Sequence, residues 1–331
     1  MRRGLAMNDK LYTGIGQSLL AGRSVAIVSH TRPDGDAVGS VLGLGLSLRQ
    51  AGKSIQMLLP EGVPQNFHHL EGAKEIGRKI KGEVDLKITV DCSDMARLGG
   101  LEDKFGVPHL NIDHHTTNTL FAPQNLVIEN AVSTTEIIFH LLTANELPLT
   151  PAVASALLTG LITDSLGFLT PNVTANALKV AARLMELGAD LPLLYRKALI
   201  EKSYEAMRFW GAGLSLLERE DNMVWASLKM EDRKNIGYPG RDDADLINQL
   251  SSIKEGDIRL VFVEQPENQV KVSWRSAAGY DVATVAGLFG GGGHRNASGA
   301  MIEGALEDVR TSVLNATRQA LLQKSHANTP N

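Results

Sequence analysis

The chain has 331 residues, of which 43% are hydrophobic and 21% charged, and a formal net charge of -4. That length predicts two domains, each large enough for its own core, and the ordinary composition excludes disorder as the main state. The negative charge excludes a protein that holds long nucleic acid through many phosphate contacts and favours a short phosphorylated substrate.

In chain order, residues 1–10 are polar and basic, and no apolar core follows them as in a secretion signal. No later stretch approaches the ~20 apolar residues of a membrane helix, so no membrane partner is expected and the cytoplasm is the expected location. Apolar runs at residues 24–29, 54–59, 86–90 and 109–112 predict strands, and 37–51, 133–144, 152–162 and 173–187 have helical apolar spacing. The alternation predicts an α/β fold with a doubly wound, mostly parallel sheet over residues 1–190. Residues 191–220 read as a charged, helical connecting segment without strand signals. Strands at 223–228, 258–264 and 270–275, with a helix between the first two, predict a smaller C-terminal α/β domain on a mixed sheet over 221–331. A helix at 281–289, a glycine break at 290–293 and an amphipathic helix at 306–322 complete it.

Acidic and histidine residues fall just beyond these elements: His30-x3-Asp34-x-Asp36, Asp91, Asp113-His114-His115 and Asp164. In open α/β sheets ligands bind outside the carboxyl ends of the strands, so the first three segments are expected to converge. Such a set repels itself unless neutralised, and divalent cations are the natural neutraliser. Oxygen donors with a minority of imidazoles suit Mn2+ first, with Mg2+ or Co2+ as alternatives. Two ions ~3.5–4 Å apart share a bridging carboxylate and a bridging water, whose lowered pKa makes it a nucleophile near neutral pH.

Each segment alone has a plainer reading. Asp34-Gly35-Asp36 is by itself a solvated turn, Asp91 a helix cap and Asp164 a surface residue. Their occurrence as an ordered set favours the metal. His68, His69, His109 and His140 lack carboxylates at ligand spacing and read as structural. Cys92, the single cysteine, excludes an internal disulfide and reads as a packing residue on the face opposite Asp91. Trp274 and Phe289 read as core. Asn296-Ala297-Ser298 has the form of a glycosylation acceptor, without meaning in a cytoplasmic chain. The glycine run lacks the lysine of a P-loop, and its backbone N–H groups are expected to face an anion. Arg275 offers planar, bidentate recognition of phosphate.

The segments SHTRPDGDAVGS, VDCSD, IDHHTTN and GLITDSLGF resemble, in order, the four motifs of the DHH phosphoesterases. KVSWRS and DVATVAGLFGGGGHRNASGA resemble the DHHA1 substrate-binding domain that often follows. In length and layout the chain is most similar to the stand-alone nanoRNases and pAp phosphatases of that family. The resemblance implies that His30 and Asp34 hold one ion, that Asp36, His114 and Asp164 hold the other, and that Asp91 bridges them. It further implies that His115 faces the substrate phosphate or leaving group, that Asp113 orients His114, and that Arg97 contacts substrate or supports the site. Arg275, Gly291, Gly292, Gly293 and His294 would form the pocket for the distal phosphate or base.

The implied activity is metal-dependent hydrolysis of short RNA oligonucleotides to mononucleotides, and of pAp to AMP. The alternative is hydrolysis of cyclic dinucleotides or linear ones such as pApA and pGpG, with inorganic pyrophosphatase more remote. A catalytically inactive nucleotide-binding regulator is the non-enzymatic reading, and the complete ligand set speaks against it. A homodimer is expected only by analogy. Two departures stand out. The fourth motif commonly reads TDTGxF, whereas Leu166-Gly167 displaces the glycine here, and the glycine motif ends Ala297-Ser298-Gly299 where a second alanine is usual.

Overall fold

The computed structural model describes residues 2–277 and 279–327, with side chains for 11–277 and 279–319. The chain divides between Glu201 and Lys202 into two units, each with its own sheet.

The first unit opens on α1 (Arg2–Ala21), a helix the apolar pattern does not announce. Tyr12, Ile15 and Leu19, spaced by three and four, anchor it to the core, and Lys53 Nζ donates to the Leu20 and Gly22 carbonyls at its end. Then come β1 (Ser24–Val28), α2 (Gly35–Gln50), β2 (Ser54–Leu58), β3 (Leu86–Val90), α3 (Glu102–Phe105), β4 (Leu110–Asp113), β5 (Gln124–Val127), α4 (Thr134–Ala144), α5 (Pro151–Asp164), α6 (Ala175–Glu186) and α7 (Leu191–Tyr195). The sheet is wholly parallel, in the order β2-β1-β3-β4-β5. Val25 to Val28 are fully buried because both faces are covered. Ile27, Val25 and Ile88 belong to the large core, while Ala26, Val28, Cys92 and Phe105 form a smaller cluster. The unpredicted β5 is a short edge strand with only Leu126 buried, too polar to give a periodic signal.

Strand order reverses between β1 and β3, which is where ligands bind in doubly wound sheets. Helices α2 and α5 pack closely through residues without side chains. A Cβ on Gly35 would lie 2.2 Å from Thr163 Oγ1, on Gly39 2.5 Å from the Ala156 carbonyl oxygen, and on Gly43 2.4 Å from Leu157 Cδ2. This approach brings the start of α2 to the end of α5.

The segment 191–220 holds α7, a π-helical turn (Arg196–Ile200), α8 (Tyr204–Ser215) and, contrary to expectation, a strand, β6 (Glu218–Glu220). All three residues of β6 are exposed and charged, so nothing in their hydropathy signals the edge strand.

The second unit continues with β7 (Met223–Leu228), α9 (Met230–Ile236), α10 (Leu246–Leu250), β8 (Ile258–Gln265), β9 (Gln269–Ser276), α11 (Val282–Gly287), β10 (Gly292–His294), β11 (Ala297–Glu303) and α12 (Leu306–Ala327). Its mixed sheet runs β10-β11-β9-β8-β7-β6, with only β7 and β8 parallel. Trp274, Val272, Leu260 and Phe262 face one core with residues of α11 and α12, while Val261 and Val263 face another with α8 and α10. Trp274 is fully buried and Phe289 packs against the same core.

Candidate metal centre and substrate face

In the first unit the loop ends after β1, β3 and β4 and the end of α5 bring the predicted ligands together. His30 Nε2 lies 3.4 Å from Asp91 Oδ2. His114 Nε2 lies 3.8 Å from Asp91 Oδ1, 4.0 Å from Asp36 Oδ2 and 3.6 Å from Asp164 Oδ2. Candidate ligand atoms of His30, Asp34 and Asp91 all fall within 4.8 Å of one another, as do those of Asp36, Asp91 and His114. Asp91 is common to both groups.

Local structure explains each placement. Asp34 caps α2, accepting from the Asp36 and Ala37 amides. Asp36, in the first turn, is buried with Oδ2 and Oδ1 accepting from the amides of Thr134 and Thr135 at 2.7 and 3.0 Å. Those amides are the unsatisfied donors at the start of α4, whose Ser133 and Glu136 form the cap. Asp91 follows β3 with φ of 52°, a left-handed conformation that costs about 1–3 kcal/mol at a residue with a Cβ. Its amide donates to the Ile112 carbonyl, and Thr134 Oγ1 donates to Asp91 Oδ1. The Arg97 carbonyl accepts from the Thr31 amide, which holds half-buried Arg97 close enough for its charge to oppose protonation of His30. After Asp164, Leu166, Gly167 and Phe168 all have positive φ, so Leu166 adopts a conformation that suits glycine.

Burial and the neighbouring Asp91 and Asp164 push the Asp36 carboxyl well above its ordinary range, and burial with Asp34 and Asp91 does the same to Asp164. Asp91 moves the opposite way: burial works against its charge, but His30, His115 and His114 hold it below the usual carboxylate range. Burial disfavours the charged form of His30, His114 and His115, yet the surrounding aspartates raise all three. Among the described residues no lysine or arginine forms an ion pair with Asp34, Asp36, Asp91, Asp113 or Asp164. A buried carboxylate set compensated only by imidazoles fits divalent cations bound by oxygen and nitrogen donors.

This charge balance predicts a pH dependence of the metal-free protein. Raised histidine pKa values give stability that is present below 6.5, the ordinary histidine value, and lost as pH rises through the folded-state values. The raised Asp36 and Asp164 act in the same direction from 3.8 upward. The thermal midpoint of chelator-treated protein is therefore expected to fall between about pH 6.5 and 8.5, and saturating Mn2+ to flatten that slope. A metal-free midpoint that rises over this window would contradict the electrostatics.

In the second unit the strand register aligns His294, Ala297, Arg275 and Arg259 in one cross-strand row, and Gly292, Gly299 and Ser273 in another on the same face. His294 is exposed, and half-buried Arg275 is oriented by Asn248 Oδ1 and the Trp274 carbonyl. The glycine run differs from the expected anion nest. The amides of Gly290 and Gly291 donate to the Gly287 and Ala286 carbonyls at the end of α11, and Gly292 and Gly293 are strand residues. Glycine is required there for close approach: a Cβ on Gly291 would lie 2.3 Å from the Gly299 carbonyl oxygen, and one on Gly293 2.5 Å from that of Ala297.

Family models match residues 24–161, as the DHH family N-terminal domain, and residues 216–323, as the DHHA1 domain. A bifunctional oligoribonuclease and PAP phosphatase NrnA of Thermus thermophilus is 30% identical over 91% of this chain and 91% of its own. The chain belongs to the DHH/DHHA1 phosphoesterase family. The protein of the same name from Mycoplasma genitalium is 30% identical over 84% of this chain and 88% of its own. The crystal structure of an exopolyphosphatase-related protein from Bacteroides fragilis superposes with a TM-score of 0.86, at 26% identity, over 95% of this chain and 96% of that one. DHH phosphoesterases depend on divalent metals, and the clustered carboxylates and imidazoles of the DHH unit suit them.

Within the DHH unit one expected pairing is different. Asp113 Oδ1 accepts from His115 Nδ1 at 2.7 Å, whereas His114 Nδ1 lies 3.4 Å from the Ala131 carbonyl oxygen. Side chains alternate at a strand end, so Asp113 shares a side with His115 and not with His114. Sequence reasoning also missed Thr134, Thr135, Asn111 and Asn118. The S-x-x-E spacing of Ser133 and Glu136 was a visible sign of a helix start there, but which carboxylate its amides meet is a tertiary fact. His68, His69 and His109 bond to backbone groups, and His140 to Asn176. Cys92 is buried in its apolar cluster, and burial pushes its thiol up to about 12.

Among the described residues no helix is long and apolar enough to cross a membrane.

Proposed function

We propose that this DHH phosphoesterase hydrolyses short oligoribonucleotides to mononucleotides and pAp to AMP, with two divalent ions, Mn2+ first. The observation that carries the reading is the sharing of Asp91 between two ligand groups, His30 and Asp34 on one side, Asp36 and His114 on the other. Its specificity is supported by the relatives named for oligoribonuclease and PAP phosphatase activity, which match both units.

Asp164, whose Oδ2 lies 3.6 Å from His114 Nε2, would complete the second group. Held by these carboxylates and imidazoles, a pair of ions would supply an activated water and neutralise charge on the phosphoryl oxygens. The chain's own residues do the rest. Asp91 is held charged by its histidines and supplies the shared carboxylate. Asp36 is fixed by two amides, so it needs no reorganisation on binding. His115, held by Asp113, would meet the substrate phosphate or leaving group. In the DHHA1 unit Arg275 and His294, over the floor of Gly292 and Gly299, would receive a distal phosphate or base. Arg97 is proposed to support His30 or contact substrate.

A labelled RNA series from dinucleotide to decamer, beside pAp, pApA and pGpG, tests the assignment with Mn2+ or Mg2+. Fastest turnover of the shortest RNAs together with release of phosphate from pAp is expected. Indifference to RNA length, or turnover restricted to pApA and pGpG, would contradict it.

A further inference from the structure

Asp113 is fully buried, and its two carboxylate oxygens have different partners. Oδ1 accepts from His115 Nδ1, and Oδ2 accepts from Asn118 Nδ2 at 2.6 Å. The Asn118 amide has its own constraints. Its Oδ1 accepts from the Leu120 amide at 2.8 Å, which turns Nδ2 toward Asp113. The same Nδ2 lies 2.8 Å from Asn111 Oδ1 and 3.3 Å from the Cys92 carbonyl oxygen. Asn111, itself fully buried on β4, donates to Thr89 Oγ1 and to that same Cys92 carbonyl. Two side-chain amides therefore join the carbonyl of Cys92, the residue after Asp91, to the carboxylate that holds His115.

We propose that Asn118 is a positioning residue for the hydrolytic reaction, acting through Asp113 to fix the ring of His115 against the phosphoryl site. The proposal rests on the phosphoesterase reading above. A buried carboxylate that loses one of its two partners rotates toward another donor, and the imidazole it holds turns with it. Asp113 and His115 lie within 4.8 Å of Asp91 in another group of candidate ligands, so bound metal is measured beside the rate to separate an effect on orientation from a loss of ion.

The test uses the full chain, with Asn118→Ala, Asp113→Asn and the double variant compared on an RNA dinucleotide with Mn2+. For Asn118→Ala, kcat is expected to fall by roughly 10- to 100-fold, with KM within about twofold of wild type and unchanged bound Mn2+ per chain. Because both residues act along one chain of bonds, the double variant is expected to be no slower than Asp113→Asn alone. In the metal-free proteins, the His115 Nδ1 proton resonance seen by NMR in wild type is expected to shift or broaden in Asn118→Ala. Multiplying losses in the double variant, a change confined to KM, loss of metal, or an unaltered His115 resonance would each overturn the proposal. A wild type inert on every RNA dinucleotide would defeat the functional assignment instead, and the resonance would still decide the positioning role.

Discussion

Asp91→Asn is expected to abolish turnover to within background while leaving the fold intact. Asparagine tolerates the left-handed φ of 52° at this position and is nearly the same size, so the backbone turn survives. What is lost is the one carboxylate common to both ligand groups. Metal ions contribute several kcal/mol of transition-state charge stabilisation, and each 1.36 kcal/mol is tenfold in rate, so a loss of roughly 10³-fold or more in kcat/KM follows. Steady-state kinetics with Mn2+ held saturating, alongside circular dichroism of the variant, makes the comparison. A variant within tenfold of wild type would mean that Asp91 does not bridge.

Gly39→Val is expected to cost about 3 kcal/mol of stability and, in the protein that remains folded, roughly 100-fold in kcat. A Cβ there meets the Ala156 carbonyl oxygen at 2.5 Å and the Gly160 nitrogen at 3.0 Å, both backbone atoms with no rotamer to yield. Helices α2 and α5 must separate, and they carry Asp36 and Asp164. Urea denaturation measures the first effect and kinetics well below the melting temperature the second. Gly14→Ala in α1 is the contrasting case: its Cβ meets nothing within 4 Å, and the substitution is expected to stabilise by roughly 0.5–1 kcal/mol. Equal effects at the two glycines would rule out close helix packing as the cause.

The parallel sheet was legible because β1 is buried on both faces and reads as an apolar run, while β3 and β4 keep buried apolar residues at Leu86, Ile88, Val90, Leu110 and Ile112. The candidate ligands were legible for a related reason: His30, Asp91 and His114 lie just past strands, Asp164 closes an apolar helix, and Asp34 and Asp36 open the helix after β1. The elements that escaped notice lacked that signal. Among the described residues of α1 the large side chains turned to the core are those of Tyr12, Ile15 and Leu19, β5 buries one leucine, and β6 is wholly charged. The hairpin of β10 and β11 was hidden by its glycines, which disfavour strands in isolation yet are required where backbone meets backbone. The resemblance implies Asp113 behind His114, whereas its Oδ1 accepts from His115 Nδ1, because a strand end places alternate residues on one side. That the amides at the start of α4 meet Asp36 has no sequence signature, because any residue but proline supplies an amide.

The most direct test is diffraction from crystals soaked in Mn2+, with anomalous differences recorded near the manganese edge. Two peaks are expected about 3.5–4 Å apart, with Asp91 between them, His30 and Asp34 on one, and Asp36, His114 and Asp164 on the other. A single peak, or two peaks that do not share Asp91, would contradict it.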